Sequence, residues 1–286
     1  MRSLPPYATT GVGSLPDADP VVAVRHVLRA YDLPFCPQLP HAEGDMVREW
    51  LGGEPPACGW SPDRDRERPA AWDAFVAAVR AAPPAHGLVK LQVTGPATLA
   101  TALEGPGDAG LAREIATWLA ANAAGQVGRL REAGLGVILL VDEPGLASAR
   151  VDDADVWGPL RLTGASAWGV HVCGPVPWGL VDALEPDVVS FDLARHGLGA
   201  DGAAVLRRVV ARGGRIAWGV LDPVAPDGAP AAAARLAAAI GSLGLPAGQV
   251  AASSLLTPGC GTGLLTTADE ERLAAQLSAS RPSRRG

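Results

Sequence analysis

The segment WGVHVCG, residues 168–174, ends an apolar run in a histidine and a cysteine one residue apart. Alternate side chains of an extended segment face the same way, so His171 and Cys173 are set to point into one space, as two metal ligands on a strand would. A third soft donor, Cys260, sits in PGCGTG, a glycine-rich stretch without the hydrophobic pattern that would explain a core cysteine. An acid, Asp192, closes the apolar run DVVSFD. Thiolate, imidazole and carboxylate are the ligand types of zinc, and a catalytic zinc site keeps one position exchangeable. His171, Cys173 and Cys260, with Asp192 as the fourth ligand, are therefore the expected Zn²⁺ site. A thiol entering it would lose its proton near neutral pH, because a bound metal lowers a thiol pKa from about 8.5. The plain alternative is a core cysteine with a hydrogen-bonded histidine beside it, since free cysteine is often buried.

A second signal is the pair Asp142 and Glu143 in ILLVDEPGL. Two acids directly after a buried strand are costly unless a cation or donors meet them. Strand alternation sends the two to different sides, so one can serve a substrate while the other anchors a loop. A structural ion pair is the competing explanation for such a position.

These residues need a frame that brings them together. Eight β-type runs, ATTGVGS, LPFCPQL, GLVKLQV, LGVILLV, ASAWGVHV, PDVVSFD, GRIAWGV and GQVAASS, alternate with alanine-rich stretches of helical period such as VVAVRHVLRAY and AWDAFVAAVRAA. Eight strand-plus-helix units predict an α/β fold, a single-domain (β/α)8 TIM barrel over residues 1–277, followed by a disordered basic tail at 278–286. Just past the strand ends come Ser14, Gln38, Thr94, Asp142 with Glu143, His171 with Cys173, Asp192, Asp222, and then Ser254 with Cys260 further on. In a barrel those ends converge on one mouth, where active sites are built. The turns TGPA, DEPG, CGP, LDP and TPGCGTG stand where strands must give way to loops.

Composition narrows the function classes. The chain has 286 residues, 48% of them hydrophobic, which suits one large core, and its net charge of -6 offers no basic footprint for nucleic acid. Lys90 is the only lysine. Neither a signal peptide nor an apolar segment of the roughly 18 residues a membrane helix needs is visible, so a cytoplasmic protein without a membrane partner is expected. The four cysteines, at 36, 58, 173 and 260, are too scattered for a disulfide scaffold, and Cys58 reads as filler.

Taken with their order and spacing, TTGVGS, DMVREW, LQVTGPATL, LVDEPGL, HVCG, DVVSFD and TPGCGTGLLT resemble the zinc-bearing C-terminal barrel of the cobalamin-independent methionine synthase family. The likeness spans nearly the whole chain and implies the same zinc ligands, although the family usually has glutamate where this chain has Asp192. It further implies that homocysteine is held by Gly13 and Ser14, by Glu43 and by Asp142. A methyl group would then pass to the homocysteine sulfur, giving methionine. Two departures concern the donor: Leu221 stands where methyltetrahydrofolate-using members carry a histidine, and Ala102 where they carry a pterin-stacking tryptophan. The chain also lacks the second barrel of the full-length enzymes. It thus resembles the short members, a resemblance that implies a methylated corrinoid protein or another carrier in place of free methyltetrahydrofolate; for this chain both methyltetrahydrofolate and a methylated corrinoid carrier stay open as donors. An acid for a folate leaving group would have to come from Asp222 or His196. The rival readings are a corrinoid-dependent methyltransferase acting on another thiol, such as coenzyme M, and a non-catalytic zinc-bound barrel that binds a methyl carrier or tetrapyrrole. A tetrapyrrole decarboxylase is a weaker option, having no use for the cysteine pair.

Overall fold

The computed structural model describes residues 4–52 and 69–282; Cys58 lies outside them. Its frame is a seven-stranded sheet of β1 (Ala8–Thr9), β2 (Leu88–Thr94), β3 (Gly136–Asp142), β4 (Ala167–Val172), β5 (Val188–Phe191), β6 (Arg215–Leu221) and β7 (Ser254–Pro258). The strands run in the order β1-β7-β6-β5-β4-β3-β2, all neighbours parallel. Parallel strands need crossover connections, and helices such as Ala109–Glu132, Ala200–Ala211 and Ala229–Leu243 supply them. Ala203, Val205, Leu206, Val209 and Val210 show how the helix Ala200–Ala211 seats one apolar stripe on the sheet. Burying such an aliphatic side chain contributes about 1.5–3 kcal/mol.

The second β-type run differs from expectation. LPFCPQL forms no regular strand, because Pro34 and Pro37 remove two ladder donors. It nevertheless spans the two sheet edges. Leu33 N–H donates to Thr9 and Gln38 N–H to Gly13 on one side, while Lys90 N–H donates to Pro34 and Cys36 N–H to Lys90 on the other. The resulting contacts are isolated parallel bridges, Ser14 to Gln38 and Phe35 to Lys90. The eighth run is also corrected. Most of GQVAASS is the helix Ala247–Ala252, consistent with the helix preference of alanine, and the strand begins only at Ser254. Ser254 therefore starts β7 instead of following a strand's end. Its hydroxyl is used internally, donating to the Val250 carbonyl at 2.7 Å and accepting from Trp218 Nε1 at 2.9 Å.

The tail expected to be disordered from residue 278 is ordered at its start. The helix Thr267–Ala279 includes Ser278, Ser280 is fully buried, and Arg281 donates to Asp32. Residues 283–286 lie outside the described residues.

Two apolar clusters divide the interior. The larger lies between sheet and helices; the smaller joins Leu4, Ala8, Leu33, Leu88, Ile138, Leu140, Ala167, Val188, Ala217 and Leu255. By strand alternation, Lys90 and Gln92 share the face of Leu88, Asp142 that of Ile138 and Leu140, His171 that of Ala167, and Ser190 that of Val188. The inner face is thus apolar toward the strand starts and polar toward their C-terminal ends. Gly169 lies in this layer because a Cβ there would stand 2.2 Å from the Val188 carbonyl oxygen.

Gly169→Ala is expected to destabilise the fold by roughly 1–3 kcal/mol through backbone displacement, read as a lower denaturant midpoint; an unchanged midpoint would contradict this packing. A second prediction concerns Lys90, which is fully buried, so that desolvation pushes its pKa down to about 8. The unfolded chain then takes up this proton at about 10.4, before the folded one does, and the folded state loses stability as pH falls through that window. Relative to Lys90→Met, the wild type should gain up to about 3 kcal/mol of unfolding free energy as pH rises from 8 to 10.4. Parallel denaturation series would show the slope, and equal slopes would refute it.

Candidate functional site

β3 and β4 place the first chemistry. Asp142 ends β3 and is the register partner of His171 on β4, which in turn pairs with Ser190 on β5. The Ser190 hydroxyl lies 2.8 Å from His171 Nδ1. That contact fixes the imidazole plane, as the outer partner of a ligating histidine does. It leaves Nε2 buried and without a hydrogen-bond partner. Ser190 was not among the residues singled out from the sequence, although its place two before Asp192 in DVVSFD puts it on the same strand face.

Cys173 follows directly after β4, and Cys260 arrives on the loop after β7. Both thiols are partly exposed. Hydrogen bonding from Cys173 pulls the Cys260 thiol down to about 4, helped by the neighbouring His171 ring and the Gly261 N–H. The same contact with Cys260, together with burial, pushes the Cys173 thiol well up. His171 acts on Cys260 by proximity, since its Nε2 lacks a partner in proper hydrogen-bond geometry.

The glycines of PGCGTG explain how this loop reaches the strand ends. A Cβ at Gly259 would lie 2.4 Å from Asp192 Oδ1, and one at Gly261 would lie 2.2 Å from Ser14 Oγ. Only glycine permits both approaches. Asp192 is fully buried beneath the loop. Its Oδ1 accepts from the Arg195 N–H at 2.9 Å as a helix cap, while Oδ2 is buried without a hydrogen-bond partner, 3.9 Å from Arg195 Nε.

His171 Nε2, the Cys173–Cys260 pair and Asp192 Oδ2 match the donor types zinc takes. Among the described residues, no three His, Cys, Asp or Glu side chains already stand at the spacing of a bound ion. The donor set is adjacent, and side-chain rotation would be required to bring it to a common point.

Asp142 and Glu143 diverge as alternation requires. Asp142 is buried with Oδ1 unpartnered; desolvation pushes its carboxyl up to about 6, while His171 and Lys90 pull it back. Glu143 faces away and accepts from Ala97 N–H at 3.0 Å, Thr98 N–H at 2.8 Å, Thr98 Oγ1 at 2.5 Å and Trp157 Nε1 at 3.0 Å. It sits at the N-terminus of the helix Pro96–Glu104, and a Cβ at Gly95 would lie 2.0 Å from its Cδ. Burial pushes this carboxyl to about 7 against the pull of those donors. The TGPA and DEP turns, separate in sequence, are one interaction.

The other candidates take varied places. Gly13 is wedged where a Cβ would meet Gln38 Oε1 at 2.7 Å and Gln92 Cγ at 2.9 Å. Ser14 accepts at Oγ from the Gly263 N–H and at its carbonyl from Thr262, which ties it to the Cys260 loop. Glu43 accepts from the Ala70 N–H with one oxygen, and its other oxygen is buried and unpartnered. Asp222 is corrected as an acid candidate. Arg195 grips both its oxygens at 2.8 Å and holds its carboxyl below the usual range, so it carries no proton to give. His196 is exposed, 3.1 Å from the Cys173 carbonyl. Cavities of about 220 and 610 Å³ lie elsewhere, beside Val224 and Leu273 and between the helices Pro20–Ala30 and Trp72–Ala81.

Fold and site together define an α/β protein whose chemistry gathers where parallel strands end. No protein-family model and no curated protein matches the chain. Solved structures share its fold. A B12-independent methionine synthase from Shewanella sp. W3-18-1, in complex with selenomethionine, superposes with TM-score 0.70 at 15% identity, covering 97% of this chain and 96% of that one. A methyltransferase from Methanosarcina mazei gives TM-score 0.58 at 15% identity, with 98% and 94% covered.

Glu143→Gln keeps the shape but turns an amide NH₂ toward donors, and should cost about 3 kcal/mol. Chemical denaturation reads this loss; a cost below about 0.5 kcal/mol would mean that the four contacts are dispensable.

Proposed function

We propose that the chain is a zinc-dependent S-methyltransferase whose acceptor is homocysteine and whose product is methionine. The reading takes the seven strands with the Leu33–Gln38 segment as a (β/α)8 barrel whose active site occupies its C-terminal mouth. The observation that carries it is a buried His171 Nε2 with no partner, at the strand ends where the partly exposed thiols of Cys173 and Cys260 also lie. A core cysteine would sit in apolar surroundings, with its proton retained.

His171, Cys173, Cys260 and Asp192 would hold the zinc, with Ser190 setting the histidine ring. When bound, the metal keeps an acceptor thiol deprotonated at neutral pH. Asp142 meets the substrate ammonium through the oxygen that has no protein partner. Gly13 and Ser14, locked to the Cys260 loop, border the same space. The acceptor sulfur then forms a bond to the methyl carbon as the carbon–nitrogen or carbon–cobalt bond of the donor breaks, the leaving group keeping the electron pair. Holding both reactants in line can remove about 7–11 kcal/mol of barrier.

The donor position favours a methylated corrinoid carrier over free methyltetrahydrofolate. Leu221 is fully buried within β6, Ala102 lies on the helix Pro96–Glu104, and Asp222 is held ionised by Arg195. None of the three stacks on a pterin or protonates a leaving amine. A cobalt leaving group needs no proton. Asp142 favours an amino-acid thiol over a sulfonate thiol, for which an arginine would be the matching partner.

Zinc analysis of Cys173→Ser and Cys260→Ser tests the metal: both should fall well below one zinc per chain, and full retention in both would end the proposal. Side-by-side assays with methylcobalamin and methyltetrahydrofolate should show homocysteine methylation with the former. Asp142→Asn should raise KM for homocysteine about 30- to 100-fold, the loss of a charge-assisted hydrogen bond.

A further inference from the structure

The only lysine of the chain is spent inside the sheet. Lys90 lies in β2 and is fully buried, and its Nζ donates to the Val12 carbonyl at 2.6 Å and to Gln92 Oε1 at 2.8 Å. Gln92 passes the connection on, donating from Nε2 to the Cys36 carbonyl at 2.5 Å. Gly13, the residue after Val12, is wedged between the side chains of Gln38 and Gln92. The ammonium therefore pins the backbone that leads into Gly13–Ser14. On the other side its charge acts on Asp142. The groups facing Lys90 are Asp142 and Cys36 by charge and the Phe35 ring, whose centroid is 5.2 Å from Nζ.

A buried ammonium is costly to retain where a neutral donor would satisfy the same carbonyl. What a neutral residue cannot supply is a fixed positive charge on the inner face that also carries Asp142. We propose that Lys90 is a positioning residue for the acceptor's amino-acid end: its hydrogen bond to Val12 sets the Gly13–Ser14 segment, and its ammonium stands on the same inner face of the sheet as Asp142. This inference rests on the proposed function for the identity of the acceptor, and on the shared sheet face and mutual charge of Lys90 and Asp142 for their coupling.

Because the chain has one lysine, labelling with ¹³Cε,¹⁵Nζ-lysine gives one side-chain resonance in the intact protein. In wild type, its titration midpoint should lie below that of free lysine, and Asp142→Asn should lower it further by about one pH unit as the favourable charge is lost. An unchanged midpoint in folded Asp142→Asn overturns the coupling and with it the proposal, whether or not the enzyme turns over. In steady-state kinetics, Lys90→Met with its zinc retained should raise KM for homocysteine at least about tenfold while kcat stays within about threefold. An unchanged KM also overturns it. If wild type does not methylate homocysteine, the functional reading fails by itself, and the resonance arm still decides the coupling.

Discussion

The site depends on how closely the loop after β7 approaches the ends of its neighbours. Cys260 can stand beside Cys173 only because Gly259 rests on the Asp192 carboxylate and Gly261 on the Ser14 hydroxyl, with no side chain at either position. A Cβ at either point would lift the loop and carry Cys260 away from its partner thiol. Ser14 then returns the contact, accepting from Gly263 and Thr262, so the first β-run and the last loop are fastened together. The chain's first and last β elements already pair in the sheet as β1 and β7. Loop glycines and the β1–β7 pairing act toward one end, which is the juxtaposition of residues far apart in sequence.

Above that contact, the governing constraint is the cost of burying charge. The paired acids after β3 meet it in opposite ways. Glu143 spends both oxygens on four donors and becomes part of the frame, joining the start of the helix Pro96–Glu104 to Trp157. Asp142 keeps an oxygen unsatisfied at the inner face, with His171 as its register partner and Lys90 as its charged neighbour. A fold under selection for stability alone would not keep the second arrangement, since an unpaired buried carboxylate costs more than a hydrogen-bonded neutral residue. The first arrangement keeps the strand end rigid enough for the second to persist.

Much of this was legible in the sequence. The alternation that separates Asp142 from Glu143, and the placement of His171, Cys173, Asp192 and Cys260 at the C-terminal ends of strands, follow from a period of two and parallel pairing. What escaped had local physical causes. LPFCPQL has the hydrophobicity of a strand, but its prolines leave too few donors for a ladder, so it forms bridges only. GQVAASS has small residues compatible with either state, and helix propensity decided it. Asp222 sits in the expected loop, yet its pairing with Arg195, which lies 27 positions earlier, comes from tertiary packing and reverses its suitability as an acid. Ser190 and Lys90 were invisible for a related reason: one is a small polar residue within a strand, the other a cation that composition alone would place on the surface.

Unpartnered buried atoms do not by themselves identify a functional centre here. A second group, Asp17 Oδ2, His26 Nδ1 and Glu270 Oε2, lies where the helices Pro20–Ala30 and Thr267–Ala279 meet, with Tyr31 also hydrogen-bonded to Glu270. That group joins the first and last helices, where Glu270 Oε1 already meets the His26 ring and the Tyr31 hydroxyl. The strand-end group differs in kind. It includes two thiols from separate loops, an imidazole whose other nitrogen is committed to Ser190, and glycines whose only evident use is to allow the approach. Soft donors, a fixed ring and a loop cleared of side chains make a combination that hydrogen bonding between helices does not require. The same kinds of polar atom therefore keep different company: hydrogen-bonding partners between the outer helices, soft donors and cleared backbone at the ends of the strands.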